Sequence, residues 1–311
     1  MNVLITGVAG FIGSNLADRL CSLNSCHVIG IDNLAYGVRE QVPDAVEFHK
    51  LDIRSKEIRP LFKNVNVVFH LAAKNCISDC QLDPVETADI NVTGTVNVFE
   101  AARQAGVKKV IYAESSALYE GIAAFPTPES QMNPESFYAA SKAASGYFAR
   151  SYERFSDMRF TALRYFCVYG PRQDYRRTIP PVMSAFIIKL LKGEQPVIYG
   201  SGDKKRDFVY VDDVNDFHLL CMNNGKTDGR VFNIGSGKNY SVNEIYHIIA
   251  GLMGVHVPPV RKPDLPGEAQ LTLADISNAQ RLGWNPKTSI TDGLNYMIGF
   301  ITNEFQKGNI K

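Results

Sequence analysis

The sequence predicts an α/β fold in which a doubly wound parallel sheet is followed by a smaller C-terminal α/β lobe. Short β-branched runs alternate with amphipathic helical patterns through the first half of the chain, and the runs read as strands buried on both faces. This alternation implies right-handed crossovers between parallel strands. After Gly170-Pro171 the composition of the sequence changes. A basic stretch and connections rich in Gly, Pro and Lys follow, which indicates a second lobe.

The predicted elements follow from these runs. Strands are expected at residues 3–6, 27–31, 65–70, 109–113 and 160–164, and helices at 11–23, 84–105 and 135–155. A strand at 208–211 and the helix after it are expected to return to the first sheet. The first domain is therefore predicted to span residues 1–166 with about 207–233, and the second lobe 167–206 and 234–311.

Composition excludes several classes of function. The chain has 311 residues and a formal net charge of +1, so its overall charge gives no reason to expect binding to nucleic acid or to an anionic membrane. No apolar run is long enough to cross a bilayer, and no signal-peptide pattern follows Met1, which predicts a cytoplasmic protein. The six cysteines lack paired-ligand spacing, so we expect reduced thiols and no metal site.

A glycine-rich turn connects the first strand to the first helix. Its glycines, Gly7, Gly10 and Gly13, allow backbone amides to approach a pyrophosphate closely. Asp32 ends the next strand, about 20 residues after the last glycine. A carboxylate there accepts hydrogen bonds from an adenosine ribose and repels a 2′-phosphate. These features predict a Rossmann-type site that takes NAD rather than NADP, with Asp52 and Ile53 near the adenine.

A tyrosine and a lysine stand four residues apart on the predicted helix at 135–155. Tyr138 and Lys142 therefore share a helix face. Free tyrosine has a pKa of about 10, and a lysine cation together with an oxidised nicotinamide is expected to lower it. Ser115 follows the strand at 109–113, at the edge where open α/β sheets bind ligands. We predict that Tyr138 takes a proton from a substrate hydroxyl while hydride leaves the same carbon, and that Ser115 holds the reacting oxygen.

The order of these motifs resembles the extended short-chain dehydrogenase/reductase family, in its NAD-dependent nucleotide-sugar epimerase and dehydratase branch. The pattern is most similar to the UDP-glucose and UDP-N-acetylglucosamine 4-epimerases. The resemblance rests on residues 7–13, 32–33, 70–73, 91, 94–95, 115, 138, 142, 163–166, 169–172, 206–208 and 282–284.

The resemblance implies a cofactor, a substrate and an assembly. It implies bound NAD, a nucleotide-diphosphate sugar, and a homodimer joined through helices near 86–105 and 136–155. Lys142 is expected to contact the nicotinamide ribose as well. Cofactor contacts are also expected from Phe11, Ile12, Asn33, Leu71, Ala72, Ala73, Asn91, Tyr138 and Tyr165. Substrate contacts are expected from Ser116, Cys167, Arg206, Arg261 and Thr272.

The residues after Ser115 favour one reaction within this branch. Sugar dehydratases of the branch place an acid and a base at the positions of Ser116 and Ala117, and related decarboxylases usually carry a glutamate at the second. Alanine cannot act as a base, so the run resembles the 4-epimerases. Glu114 is expected to point to the face opposite Ser115. Other conversions through a 4-keto intermediate (a uronate-sugar epimerase, a ketosugar reductase or a dehydratase) remain open, as does a noncatalytic NAD-binding sensor.

Substrate identity depends on a few positions. Arg206 matches a family arginine that binds the diphosphate, and the modest size of Thr272 would admit an N-acetyl group. Arg172, Arg176 and Arg177 either assist at the diphosphate or are solvated loop charges.

Five positions depart from the family pattern. Cys167 replaces a sugar-diphosphate asparagine, and Leu265 replaces an arginine, for which Arg261 or Lys262 is the candidate substitute. Glu120 interrupts a usual Tyr-Gly pair. Cys76 and Cys80 stand where serines are frequent.

Overall fold

The computed structural model describes residues 1–23, 25–177, 180–264 and 269–310. Its strands are β1 (Asn2–Thr6), β2 (His27–Asp32), β3 (Glu47–Lys50), β4 (Val67–His70), β5 (Lys109–Ser115), β6 (Arg159–Tyr165), β7 (Cys167–Tyr169), β8 (Val197–Tyr199), β9 (Lys205–Tyr210), β10 (Arg230–Ile234), β11 (Asn239–Ser241) and β12 (Val260–Lys262). Its helices are α1 (Phe11–Cys21), α2 (Ile77–Leu82), α3 (Pro84–Ala88), α4 (Thr95–Gln104), α5 (Phe137–Phe155), α6 (Val182–Leu191), α7 (Val211–Asn223), α8 (Val242–Met253), α9 (Ser277–Gln280) and α10 (Ile290–Gln306). Short 3-10 turns lie at Arg39–Gln41, Lys56–Phe62, Ser116–Tyr119 and Gly225–Thr227.

Seven parallel strands form the central sheet, in the order β10-β6-β5-β4-β1-β2-β3. Strand order reverses beside β1, which is where doubly wound sheets open a crevice at their carboxyl edge. Helices α1 and α7 cover one face with side chains such as Leu16 and Phe217, and α4 and α5 cover the other with Phe99 and Ala149. Coverage on both faces explains the continuous apolar strands, and the predicted fold class is confirmed.

The smaller lobe has its own core. Strand β9 lies between β11 and β7 in a three-stranded sheet, and β8 pairs with β12. Helices α6, α8 and α10 pack there around Phe186, Ile249 and Met297, each at most 1% exposed. No helix in the described ranges is long and apolar enough to cross a membrane.

The strand predicted at 208–211 does not return to the central sheet. It is part of β9, where Phe208 and Tyr210 pack edge-on against Tyr169 of the lobe core. The following helix α7 packs on the central sheet, and β10 supplies the strand beside β6. The continuous apolar run at residues 208–211 fits either sheet, so the sequence alone does not specify its pairing partner. The domain boundaries drawn from the sequence stay a prediction.

The helix predicted at 84–105 is interrupted. Between α3 and α4 the backbone forms a π-helical turn at Asp89–Gly94. Turns of this kind are uncommon and often lie at functional sites. This one contains Asn91, which is 1% exposed and bonds to the loop after β4.

Candidate active site

A cleft with a cavity volume of about 350 Å³ lies at the carboxyl edge of the central sheet. The chain segments that follow β1, β2, β4 and β5 meet there. The structure brings most of the predicted cofactor and catalytic residues together along this cleft: Gly7, Gly10, Phe11, Ile12, Gly13, Asp32, Asn33, Asp52, Ile53, Leu71, Ala72, Ala73, Ser115, Tyr138, Lys142 and Tyr165.

The glycine turn is suited to a phosphate group. Gly7 has a φ of +75°, and a Cβ added at Gly13 would lie 2.1 Å from the Gly7 carbonyl oxygen. Helix α1 starts directly after Gly10, and within this fully described helix neither a side-chain cap nor an acidic residue occupies the first turn. The amides at this helix N-terminus and the helix dipole therefore fit the pyrophosphate of a dinucleotide.

Asp32 lies beside this turn and is 9% exposed. Its Oδ1 accepts a hydrogen bond from the Leu34 amide at 2.8 Å, and its Oδ2 accepts one from the Ala9 amide at 3.0 Å. Burial raises the pKa of Asp32, and the two backbone bonds oppose that rise. Each carboxylate oxygen has a further lone pair, so the group fits a ribose diol and disfavours an added phosphate.

The carboxylate of Asp52 is already engaged. It accepts two hydrogen bonds from the Arg54 guanidinium at 2.8 and 2.9 Å and one from Asn33 at 2.9 Å. The Arg54 contacts hold the pKa of Asp52 far below its usual range. Asp52 therefore shapes the wall of the cleft together with Asn33, and its side chain has little capacity left for an adenine.

Asn91 is the one predicted cofactor residue outside the described lining of the cleft. Its Oδ1 accepts from the Lys74 amide at 2.8 Å, and its Nδ2 donates to the Lys74 carbonyl at 2.9 Å and to the Ser141 hydroxyl at 3.0 Å. It thus fixes the loop after β4 to helix α5, close to the residues that line the cleft.

Ser115, Tyr138 and Lys142 meet at the inner end of the cleft. Burial raises the pKa of Tyr138 to about 12, while a hydrogen bond from Ser115 and the charge of Arg177 act in the opposite direction. The Lys142 ammonium donates to the Ala113 carbonyl at 3.0 Å, and burial lowers its pKa to about 8. The lowering of the Tyr138 pKa expected from Lys142 together with an oxidised nicotinamide stays a prediction; among the protein's own groups, burial outweighs the opposing effects of Ser115 and Arg177.

Glu114 points away from Ser115, as predicted. Its carboxylate accepts from the Arg164 guanidinium at 2.8 Å and from the Tyr112 hydroxyl at 3.1 Å, and the residue is 4% exposed. A paired, buried carboxylate of this kind is not available as a base.

None of the five predicted substrate residues lines the described part of the cleft. Ser116 starts a 3-10 turn, and Cys167 starts β7, where burial raises its pKa to about 11 against the charge of Arg206. Arg206 pairs with Tyr240 across β9 and β11.

The other two are engaged within the lobe. Arg261 donates to the Ser201 carbonyl and to Asn243, and the Thr272 hydroxyl accepts from the Asp207 amide at 3.1 Å. All five roles stay predictions, and Leu265 lies outside the described residues.

Sequence reasoning missed residues that line the cleft from two loops. Asn75 follows β4, and Gln173 and Asp174 come from the lobe, beside Arg177, which was named from the sequence as a candidate at the diphosphate. Arg177 pairs with Asp174 at 2.5 Å and donates to Asn75, so it connects the lobe to the loop after β4. The basic stretch at 172–177 signalled this position, but its pattern is equally typical of a solvated loop.

Among the described residues, neither the cysteine thiols nor the side chains of types that can bind metals form a disulfide or a metal site. All six cysteines are free. Within the described residues, no group of three or more His, Cys, Asp or Glu side chains is arranged to hold a metal ion.

Comparison with known families gives the decisive finding. The model of the NAD dependent epimerase/dehydratase family matches residues 3–235, three quarters of the chain. The chain belongs to this family. Its cofactor is accordingly NAD, and the glycine turn with Asp32 fits that dinucleotide.

Individual family members are similar along their whole length. A UDP-glucose 4-epimerase of Mycolicibacterium smegmatis is 36% identical over 316 residues, covering 98% of this chain and 100% of that protein. A crystal structure of a UDP-glucose 4-epimerase from Thermotoga maritima with UDP-glucose superposes with a TM-score of 0.94 at 35% identity, covering 98% and 100%. A UDP-N-acetylglucosamine 4-epimerase from Methanobrevibacter ruminantium in complex with UDP-N-acetylmuramic acid gives 0.93 at 31% identity, covering 97% and 98%.

Proposed function

We propose that the protein is an NAD-dependent 4-epimerase of UDP-sugars, acting on UDP-glucose and UDP-galactose or on their N-acetyl counterparts. One observation carries this reaction type. Ser115, the last residue of β5, presents its hydroxyl to Tyr138, while the carboxylate of the preceding Glu114 is bound by Arg164. Dehydration would need an acid and a base in this segment, whereas epimerisation needs only oxidation and reduction at one carbon.

The chain's own residues divide the work of proton transfer and binding. Tyr138 accepts the proton of the sugar C4 hydroxyl, and Ser115 holds the same oxygen by a hydrogen bond. Lys142 holds the nicotinamide ribose, and Asp32 holds the adenosine ribose. Bound NAD supplies the hydride acceptor and a positive charge that favours the Tyr138 phenolate. NAD held by these residues would take up the hydride and return it, so epimerisation would give no net NADH.

The substrate nucleotide is inferred from the relatives. The two similar solved epimerases carry UDP-sugars in their sites, one a hexose and one an N-acetylated sugar acid. The near-complete structural agreement with these two epimerases supports a UDP-sugar here as well.

The test is NMR of the purified protein with NAD and each of four substrates: UDP-glucose, UDP-galactose, UDP-N-acetylglucosamine and UDP-N-acetylgalactosamine. We expect interconversion within at least one pair and no net accumulation of NADH. A Tyr138→Phe variant in the same tubes is the negative control. Stoichiometric NADH formation would instead indicate a dehydrogenase, and absence of any new sugar signal with all four substrates would reject the proposed function.

We also propose a homodimer through α3 and α5. Helices α3 and α5 pack against each other, and their surfaces expose Val85, Tyr147 and Phe155 by 79, 58 and 80%. In a twofold dimer the same surface patch of each copy contacts its counterpart. The apolar face of one copy would therefore be buried against the same face of the other.

A further inference from the structure

Glu120 follows the 3-10 turn that starts after Ser115, at the position where the sequence departs from the usual Tyr-Gly pair. Its carboxylate lies against the start of helix α5. Oε2 accepts the amides of Glu135 and Ser136 at 2.7 and 2.6 Å, and Oε1 accepts the Ser136 hydroxyl at 2.7 Å. Hydrogen bonds to an ionised carboxylate are roughly twice as strong as neutral ones.

The contacted residue is the N-cap of α5. The Ser136 Oγ accepts the Ala139 amide at 3.1 Å, and Tyr138 stands in the first turn of the same helix. Glu120 therefore holds the helix end that carries the phenol. A negative charge at this end also interacts favourably with the helix dipole.

The turn that precedes Glu120 is also hydrogen-bonded to Ser115. The Ser115 Oγ accepts the Ala117 amide at 3.1 Å, and the Glu120 amide closes the turn on the Ala117 carbonyl at 3.3 Å. Glu120 is therefore separated from Ser115 by a single short turn. In the same way, Ser136 is separated from Tyr138 only by the first residue of α5.

Asn133 reinforces the connection. Its backbone amide donates to the Leu118 carbonyl at 2.7 Å. Its side-chain Nδ2 donates to the Glu120 backbone carbonyl and to the Glu135 carboxylate, both at 2.9 Å. Glu120, Asn133, Glu135 and Ser136 together form what we call the Glu120 clamp. Five hydrogen bonds join the loop after β5 to residues 133–136 before α5, and a sixth, from Asn133 to Glu135, lies within that second segment.

We propose that Glu120 is a positioning residue that sets the placement of the Tyr138 hydroxyl relative to the Ser115 hydroxyl. It does not line the described cleft, so it acts through Ser136 and the turn at 116–119. The inference rests on the proposed function, in which both hydroxyls engage the same sugar oxygen. Displacing a reacting group by about 1 Å costs on the order of 100-fold in rate.

The test compares Glu120→Ala with Glu244→Ala and Glu120→Gln. Glu244 is the matched control, because its carboxylate accepts the amide of Ser241, the N-cap of α8, at 2.7 Å in the other lobe. We expect Glu120→Ala to lower kcat by roughly 10- to 100-fold with KM and NAD affinity within about twofold, since positioning is lost and binding is kept. Glu244→Ala should retain the parent kcat.

Glutamine provides the rescue. Its carbonyl oxygen accepts the amides of Glu135 and Ser136, and its Nε2 donates to the Ser136 hydroxyl, so Glu120→Gln should recover kcat to within about threefold. Equal impairment of the alanine and glutamine variants would overturn the proposal, as would a Glu120→Ala enzyme with the parent kcat.

The pH profile gives a readout that a purely structural role would leave unchanged. Burial is the largest influence on the Tyr138 pKa and raises it; among neighbouring groups Ser115 and Arg177 lower it and Cys80 raises it. Loss of the Ser115 bond raises that pKa, so the rising limb of kcat should move to higher pH in Glu120→Ala and stay in place in Glu244→Ala. An unmoved limb in both variants contradicts the clamp.

Hydrogen–deuterium exchange separates this proposal from the proposed function. If the parent protein converts no UDP-sugar, the function fails, yet the clamp still predicts faster exchange of residues 133–139 in Glu120→Ala than in the parent. Unchanged exchange there rejects the clamp by itself.

Discussion

Tyr138 illustrates how a single side chain depends on opposing local effects. Burial raises the pKa of its phenol, Ser115 and Arg177 oppose that rise, and the resulting pKa is about 12. Lys142 directs its ammonium to the Ala113 carbonyl instead. We expect the positive charge of an oxidised nicotinamide to favour the phenolate further.

Replacing Tyr138 by phenylalanine tests this assignment. We expect Tyr138→Phe to lower kcat by about 10³-fold or more while NAD binding stays within about twofold, because only the proton-accepting oxygen is removed. Turnover is measured by NMR and NAD binding by fluorescence titration. Tyr296→Phe is the control, since Tyr296 is 61% exposed on α10. A Tyr138→Phe enzyme with near-parent turnover would remove the phenol from the mechanism.

The turn between β1 and α1 shows how an element imposes residue identity. Gly13 lies inside the first turn of α1, and its α-hydrogen faces the Gly7 carbonyl at a separation too small for any side chain. Gly37 meets a similar limit, because a Cβ there would lie 2.8 Å from the Asp32 Oδ1. Glycine is required at these two positions because neighbouring atoms leave no room for a Cβ, and not only because glycine favours turns.

Two glycine-to-alanine changes on helices should have opposite effects. Gly13→Ala forces the backbone of the glycine turn apart, so we expect a loss on the order of 3 kcal/mol in the free energy of unfolding together with weakened NAD binding. Gly299→Ala in α10 meets no atom within 4 Å and should gain up to about 1 kcal/mol. Urea denaturation measures both. Equal effects of the two changes would contradict the packing argument.

Across the whole molecule, two histidines are buried as neutral rings. His70 lies between the hydroxyls of Thr6 and Thr95 at 2.7 and 2.8 Å, and His218 lies 2.6 Å from the Tyr165 hydroxyl. Burial lowers the pKa of each to about 3 from an ordinary value of 6.5. Between about pH 3 and pH 6.5, these two histidines therefore bind protons in the unfolded chain but not in the folded chain.

Acidification should destabilise the protein through these rings. Each depressed histidine pKa leaves stability intact above pH 6.5 and removes about 2 kcal/mol by pH 5, with further loss toward pH 3. His218→Gln removes one titrating ring, so its unfolding free energy should fall less steeply than that of the parent between pH 7 and 5. Urea titrations at both pH values measure the two slopes, and parallel slopes would show that His218 is not the proton acceptor.

The proposed assembly can be tested on its apolar face. Phe155→Glu puts a charge on the exposed face of α5, where burial against a second copy would leave that charge unpaired. We expect sedimentation to show dimers for the parent and monomers for this variant. Tyr296→Glu, a change on the exposed surface of α10, should stay dimeric. A monomeric parent protein would reject the assembly itself.

The sequence determined the features that depend on local spacing. Gly7 to Gly13 with Asp32, and Tyr138 with Lys142, act over a single turn or helix face, so their patterns predicted the cofactor cleft and its catalytic end. Continuous apolar runs likewise predicted the doubly wound sheet, because burial on both faces removes polar alternation.

Only the tertiary structure decided the relations between distant segments. It placed the strand at 208–211 in the lobe, brought Arg177 to Asn75, and paired Glu114 with Arg164. It also put Glu120 on the N-cap of α5. Each of these contacts joins residues far apart in the chain or across a loop, and a one-dimensional pattern carries no information about which distant partner will satisfy a buried charge or an apolar face.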